Sequence, residues 1–179
     1  MENLSGTGYV ILGSLALGAR TGYDIKGLVD RSTRFFWAAS YGQIYPELRR
    51  LEKAGLIEGE NAPTGGRKRK EYRLTDAGRR ELVGWLSAPP QMPELRDESL
   101  LKLFFSDELP RDEALEQLRM RRLGHEQFLA ILREIAARPG EDTPFVDLVL
   151  RYGLAYAQFN IDWCIEQEKR LRAPTEEAA

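Results

Sequence analysis

The chain has 179 residues, 42% hydrophobic and 30% charged, with a formal net charge of −2. That is enough for one large domain or two small ones, of soluble globular composition. No apolar run could span a bilayer, and Met1-Glu2-Asn3-Leu4 lacks the regions of a signal peptide, so a cytoplasmic, nucleoid-associated protein with no membrane partner is expected.

In chain order, Thr7 to Leu17 is apolar and predicts a buried helix ended by Gly18. Thr21 has the place of an N-cap for a second helix through Tyr23, Ile25, Leu28 and Val29. The connection after it holds Phe35, Phe36 and Trp37, which read as core or subunit contact. Ser40 then caps a third helix, in which Tyr41, Ile44, Leu48 and Leu51 predict one buried stripe. Gln43, Glu47, Arg49, Arg50 and Lys53 fall elsewhere on that wheel, and Gly55 stops the helix. Pro46 has no N–H and its ring crowds the carbonyl of Gly42, which predicts a late start or a distorted first turn.

Leu56 to Glu60 and Glu71 to Leu74 predict short strands, joined by a wide hairpin with Pro63, Gly65 and Gly66. Thr75 opens a fourth helix through Leu82, Val83, Trp85 and Leu86. A proline-rich break at Ala88 to Pro93 marks a domain boundary. The remainder is helical: Asp97 to Ser106, a long charged helix from Pro110 to Pro139-Gly140, and a last helix. In that last helix Phe145, Val149, Tyr152, Tyr156, Phe159 and Trp163 alternate spacings of four and three, the seam of a helix pair or coiled coil. The expected architecture is mainly α with a small β-wing. It divides into a winged helix-turn-helix over 1–88, a helical dimerisation region over 94–173 and a flexible tail over 174–179.

Catalytic and metal chemistry are poorly supplied. Cys164 is the only cysteine, so no intrachain disulfide can form, and His125 is the only histidine, read as a solvated residue of the charged helix. Acidic pairs such as Asp97-Glu98 and Asp107-Glu108 look solvated, with no paired base or electrophile. No enzyme activity, catalytic residue, metal or cofactor is expected.

The charge is unevenly placed. Residues 1–88 carry fourteen Lys/Arg against ten Asp/Glu, and residues 89–179 carry twelve against eighteen. The front half therefore suits a polyanion. A helix offering Gln43, Tyr45, Arg49 and Arg50 can read base edges and phosphates in a major groove. The wing run Arg67-Lys68-Arg69-Lys70, turned by Gly65 and Gly66, can clamp a phosphate ribbon or minor groove. Alone, the helix could be a solvated basic face; together, in this order, the two elements point to double-stranded DNA. The alternative is a winged-helix protein–protein interaction module without DNA binding.

The residues also carry a resemblance. Gly42-Gln43-Ile44-Tyr45-Pro46, Leu48-Arg49-Arg50-Leu51-Glu52, Gly55-Leu56-Ile57, Gly66 to Lys70 and Tyr72 to Gly78 resemble the PadR family of transcriptional regulators. Tyr9 to Gly13 and Gly22-Tyr23-Asp24-Ile25 are also typical of it. The resemblance implies a homodimeric repressor released by an effector, often a small aromatic molecule. It implies that Pro46 is normal in this helix, that Tyr45 and the turn Ser40-Tyr41-Gly42-Gln43 lie against the DNA backbone, and that Arg67 and Lys68 are wing contacts. The seam from Phe145 to Trp163 is then the dimerising surface and a candidate effector-pocket wall. It would space two recognition helices about 34–36 Å apart on an inverted-repeat operator.

Overall fold

The computed structural model describes residues 4–62, 69–138 and 143–172. They fall into two compact units, Met1–Met92 and Pro93–Ala179.

In the first unit, local chemistry at the element ends sets the helices. α1 (Gly6–Ala16) starts where Ser5 accepts from the Gly8 N–H at 3.1 Å. Just past its end, Gly18 has a φ of 93°, which a Cβ would strain. α2 (Gly22–Arg31) opens on a capping box. Thr21 Oγ1 accepts from the Asp24 N–H at 3.1 Å, and Asp24 accepts from the Thr21 N–H at 2.9 Å. α3 spans Tyr41–Lys53. β1 (Ile57–Ala62) and β2 (Arg69–Leu74) pair antiparallel, with Glu58 opposite Arg73 and Gly59 opposite Tyr72. The connector before α2 lies along β2, where the Tyr72 N–H donates to the Arg20 carbonyl at 2.7 Å. Thr75 caps α4 (Asp76–Ser87) by accepting from the Gly78 N–H at 3.0 Å.

The apolar stripes of these elements meet in one core. Ile11 and Leu12 of α1, Ile25 of α2, and Ile44, Leu48 and Leu51 of α3 are fully buried. Each such side chain contributes about 1.5–3 kcal/mol relative to exposure. Three helices over a two-stranded hairpin, closed by a fourth helix, form a winged helix-turn-helix.

Three expectations change. Tyr41 is not part of the buried stripe: it is 43% exposed, stacks on Tyr45 at 6.0 Å, and has the Lys26 ammonium 5.7 Å from its ring centre. It sits in the first turn, beyond the reach of the core below Ile44. Phe36 and Trp37 are exposed, which removes the core reading and leaves that of subunit contact; the short 3-10 turn Thr33–Phe35 swings them outward, and Trp37 covers Gly6. Pro46 neither delays α3 nor breaks it. The Gln43 and Ile44 N–H groups both reach the Ser40 carbonyl, at 3.0 and 2.9 Å, so the first turn is anchored. Only the bond to Gly42 is forfeited, and that residue faces solvent.

The second unit contains α5 (Glu98–Phe104), a 3-10 turn at Ser106–Glu108, α6 (Arg111–Ala136) and α7 (Pro144–Arg172). α6 and α7 run antiparallel. Arg122 donates to Glu168 at 3.0 Å, Arg121 to Asn160 at 2.7 Å, and Leu132 lies against Gly153. α7 meets α6 through Ala157 and Ile161, which pack with Leu129, while Asn160 and Cys164 are also buried. The aromatic seam is therefore not the intrachain pair: the smaller side chains allow the close approach, and most of the large ones are left outside. His125 also departs from its reading as solvated. It is half-buried, edge-on to Tyr156 at 5.7 Å. Burial, with help from the Arg121 charge and against that of Asp97, lowers its pKa.

The hairpin tip with Pro63, Gly65, Gly66, Arg67 and Lys68, the Pro139-Gly140 break and the tail lie outside the described residues.

Candidate nucleic-acid interface

α3 turns one face to the core and leaves Ser40, Tyr41, Gln43, Tyr45, Arg49, Arg50 and Lys53 exposed. Its N-terminus carries the positive end of the helix dipole, which favours an anion. Gln43 is partly committed there. Its Oε1 accepts from the Ser40 N–H at 2.9 Å and from the Ser40 hydroxyl at 3.1 Å. The backbone donor fixes which end of the amide faces Ser40, leaving the NH2 group to donate outward. Gln43 can thus donate to a phosphate or a purine N7, but a bidentate grip on adenine would require giving up the cap.

Tyr45, Arg49 and Glu52 lie four and three residues apart on α3, on a single stripe. Tyr45 packs over Gly22 at the start of α2, so close that a Cβ on Gly22 would meet its ring. Arg50 is 3.6 Å from Glu47, which also accepts from the Ser5 hydroxyl at 2.8 Å. Of the two arginines, Arg50 is thus partly countered within α3.

β2 runs beside that stripe. Lys70 bonds Glu52 at 2.7 Å and has its ammonium 5.6 Å from the Tyr72 ring centre. The Glu52 bond, only partly offset by burial, raises the Lys70 pKa. Tyr72 is buried and its pKa is raised, first by desolvation, with weaker influences from Lys70, Glu52, Tyr45 and Arg49. On the opposite face of the hairpin, Arg73 is paired with Glu58 at 2.8 Å and Glu60 at 3.5 Å. The exposed face of α3 and the base of the wing therefore meet at Glu52 and Lys70. Sequence reading quoted Glu52 and Tyr72 only within the family motifs, gave them no part in the site and passed over Gly59, because an acid, a buried ring and a glycine do not announce one. The Tyr45-Arg49-Glu52 periodicity was the available signal.

In the second unit, Phe145 is 80%, Tyr152 72% and Phe159 65% exposed. Val149 and Tyr156 are also exposed and Trp163 is half-buried, while Tyr152 stacks on Tyr156 at 6.3 Å. The six seam residues thus form a largely uncovered apolar strip on α7. A largely buried polar knot ties α5, α6 and α7 together. Arg121 donates to Asp97 and Asn160, each at 2.7 Å, and to the Ser99 hydroxyl. Burial would raise the Asp97 pKa, but bonds from Ser99, Arg121 and the Leu100 N–H outweigh it and hold the carboxyl at about 2. Among the described residues no cluster could hold a metal ion, and no helix is long and apolar enough to cross a membrane.

Two family models match this chain. Residues 11–83 match the transcriptional regulator PadR-like family, and residues 95–172 match the virulence activator alpha C-terminal family. The negative transcriptional regulator PadR of Bacillus subtilis is 41% identical over 108 residues, 59% of this chain and 59% of its own length. The chain thus aligns with less than two thirds of that relative. The probable transcriptional regulator Rv1176c of Mycobacterium tuberculosis is 29% identical over 90% of this chain and 98% of its own length. The crystal structure of Bacillus subtilis PadR in complex with operator DNA superposes with a TM-score of 0.81 at 31% identity, over 92% of this chain and 98% of that one. The same protein in complex with p-coumaric acid gives 0.76 at 30% identity, over 94% and 98%.

Proposed function

This chain belongs to the PadR-like family of transcriptional regulators, and from that premise we propose that it is a homodimeric, sequence-specific DNA-binding repressor released by a small aromatic effector. One observation carries the reading. The exposed face of α3, with Gln43, Tyr45 and Arg49, lies beside β2 on one continuous surface of the first unit. A groove-reading helix and a wing so placed engage the same duplex. The relative solved with operator DNA shares this fold, and the same relative solved with p-coumaric acid supports an aromatic acid as the effector class.

In this reading Ser40, Tyr41 and Tyr45 approach the backbone, and Gln43, Arg49 and Arg50 reach into the major groove. Arg67 and Lys68 extend the wing contact, beyond Lys70 at the base of the hairpin. The division of labour follows the two units: residues 1–88 read DNA and residues 94–173 dimerise. Phe145, Val149, Tyr152, Tyr156, Phe159 and Trp163 supply the dimer surface and one wall of the effector site. The protein works in the cytoplasm on the nucleoid and carries no catalytic step.

Selection of bound duplexes from random DNA by the full chain tests this. Recovery of an inverted repeat, with release on adding p-coumaric acid or a related phenolic acid, is the expected result. Failure to enrich any duplex in dilute buffer overturns DNA binding, and recovery of single half-sites overturns the dimer.

A further inference from the structure

Lys70 is the one wing-run cation whose side-chain partners are described, and those partners are not what a phosphate clamp would show. Its ammonium is directed to Glu52 of α3 at 2.7 Å, not away from the hairpin. The pair sits in a slot made by Gly59 of β1, where an added Cβ would collide with the Lys70 stem, the Glu52 carboxylate and the Tyr72 ring. Gly59 is directly opposite Tyr72 in the hairpin, so both strands contribute to the slot. Both side chains are about two-thirds covered, with exposures of 37% and 30%.

We propose that Glu52 and Lys70 form a brace fixing the base of the wing to the recognition helix, so that Lys70 acts as a positioning residue and not as a phosphate contact. The physical reason is geometric. A two-stranded hairpin alone is marginally stable, and its attitude to α3 decides whether helix and wing reach the same duplex together. Tyr72 anchors the hairpin by its buried ring and by its N–H bond to the Arg20 carbonyl, which holds β2 to the connector before α2 but leaves its attitude to α3 free to vary. A hydrogen-bonded ion pair beside it is directional and removes that freedom. The missing Cβ at Gly59 is what admits the pair.

This inference rests on the DNA-binding reading, and its test separates the two. Affinity for the selected operator and for an unrelated duplex is measured across salt for wild type, Glu52→Gln, Lys70→Met, the double variant and the swap Glu52→Lys/Lys70→Glu. A brace predicts that each single variant loses about tenfold in operator affinity, as expected for a coupled pair. The double variant should then be no weaker than either single, and the swap should recover most of the loss. The salt slope of Lys70→Met stays that of wild type. A phosphate contact predicts the reverse: Glu52→Gln binds more tightly, and Lys70→Met flattens the slope by about one unit. Either of those results, or a swap that rescues nothing, overturns the brace.

A second readout needs no DNA. Backbone amide exchange in β1 and β2 should quicken in Glu52→Gln and Lys70→Met and return towards wild type in the swap. Unchanged exchange overturns the proposal. If wild type binds no duplex at all, the DNA reading falls, and the exchange measurement alone judges the brace.

Discussion

Gln43 illustrates how one side chain can be asked to do two things. Its carbonyl oxygen closes the start of α3 on Ser40, and its amide donor stays free for the proposed DNA contact. Glutamate can close the same cap, because a carboxylate also accepts from the Ser40 N–H, but it has no donor and adds a charge that repels phosphate. Gln43→Glu should therefore keep the melting temperature of wild type while losing operator affinity, whereas Gln43→Ala should lose both, with about 1 kcal/mol of stability gone. Equal melting losses in the two variants would show that a carboxylate cannot take the place of the amide in this cap. Asp97 gives the corresponding case in the second unit. Its folded pKa of about 2 lies below the ordinary carboxylate value, so its stabilisation is whole above about pH 4 and drains away as pH falls towards 2. Asp97→Asn can still cap α5 but leaves the Arg121 charge buried without its counterion. It should cost about 2–4 kcal/mol at pH 7, and the gap to wild type should narrow steadily in acid. Denaturant melts at pH 7, 4 and 2.5 would record this; a gap independent of pH would contradict it.

The elements were legible in the sequence to the extent that their chemistry is local. Thr21, Ser40 and Thr75 announced helix starts because a cap needs only a side-chain oxygen and an N–H two or three residues on. The stripe Ile44, Leu48, Leu51 announced the buried face of α3 because a helix period is short. What stayed hidden depends on residues far apart in the chain. Glu52 and Lys70 are eighteen positions apart, and only the register that sets Gly59 opposite Tyr72 brings them together. In α7 the spacing found the aromatic seam but could not tell which face α6 would take. That choice lies with small residues such as Ala157 and with the reach of Arg121 to Asn160. Gly78 is a further instance. A Cβ there would run into the Leu56 carbonyl, so the glycine lets α4 sit against the start of the hairpin. Backbone cannot yield as a flexible side-chain end can. Gly78→Ala should therefore destabilise the first unit by about 1–3 kcal/mol despite its better helix propensity, and should loosen the wing. A thermal melt equal to or above that of wild type would show that α4 can shift freely.

Across the whole molecule, the two units meet different physical requirements. One winged helix makes too few contacts to select an operator against the excess of competing genomic sites, so specificity requires two of them joined. In the proposed reading the second unit offers the means: a strip of large apolar side chains on α7, 65–80% exposed at Phe145, Tyr152 and Phe159, on a helix that the Arg121–Asn160 bond ties to α6. Such side chains dominate interface energetics when covered, and a charge inserted among them cannot be paired there. Tyr152→Glu/Phe159→Glu should consequently be monomeric in sedimentation at micromolar concentration. The first unit should remain folded in that variant, since its core uses none of these residues, and the stack of Tyr9 on Trp85 at 4.5 Å provides a near-ultraviolet marker for it. Operator affinity should fall by about 10²–10⁴, the factor that linking two modules contributes without any new contact. Affinity for unrelated duplex at low salt should fall far less, because phosphate contacts from a single α3 and wing survive. A variant that remained dimeric would move the interface off α7. One that became monomeric yet held the operator as tightly as wild type would mean that a single winged helix suffices, and the case for a two-fold operator would go with it.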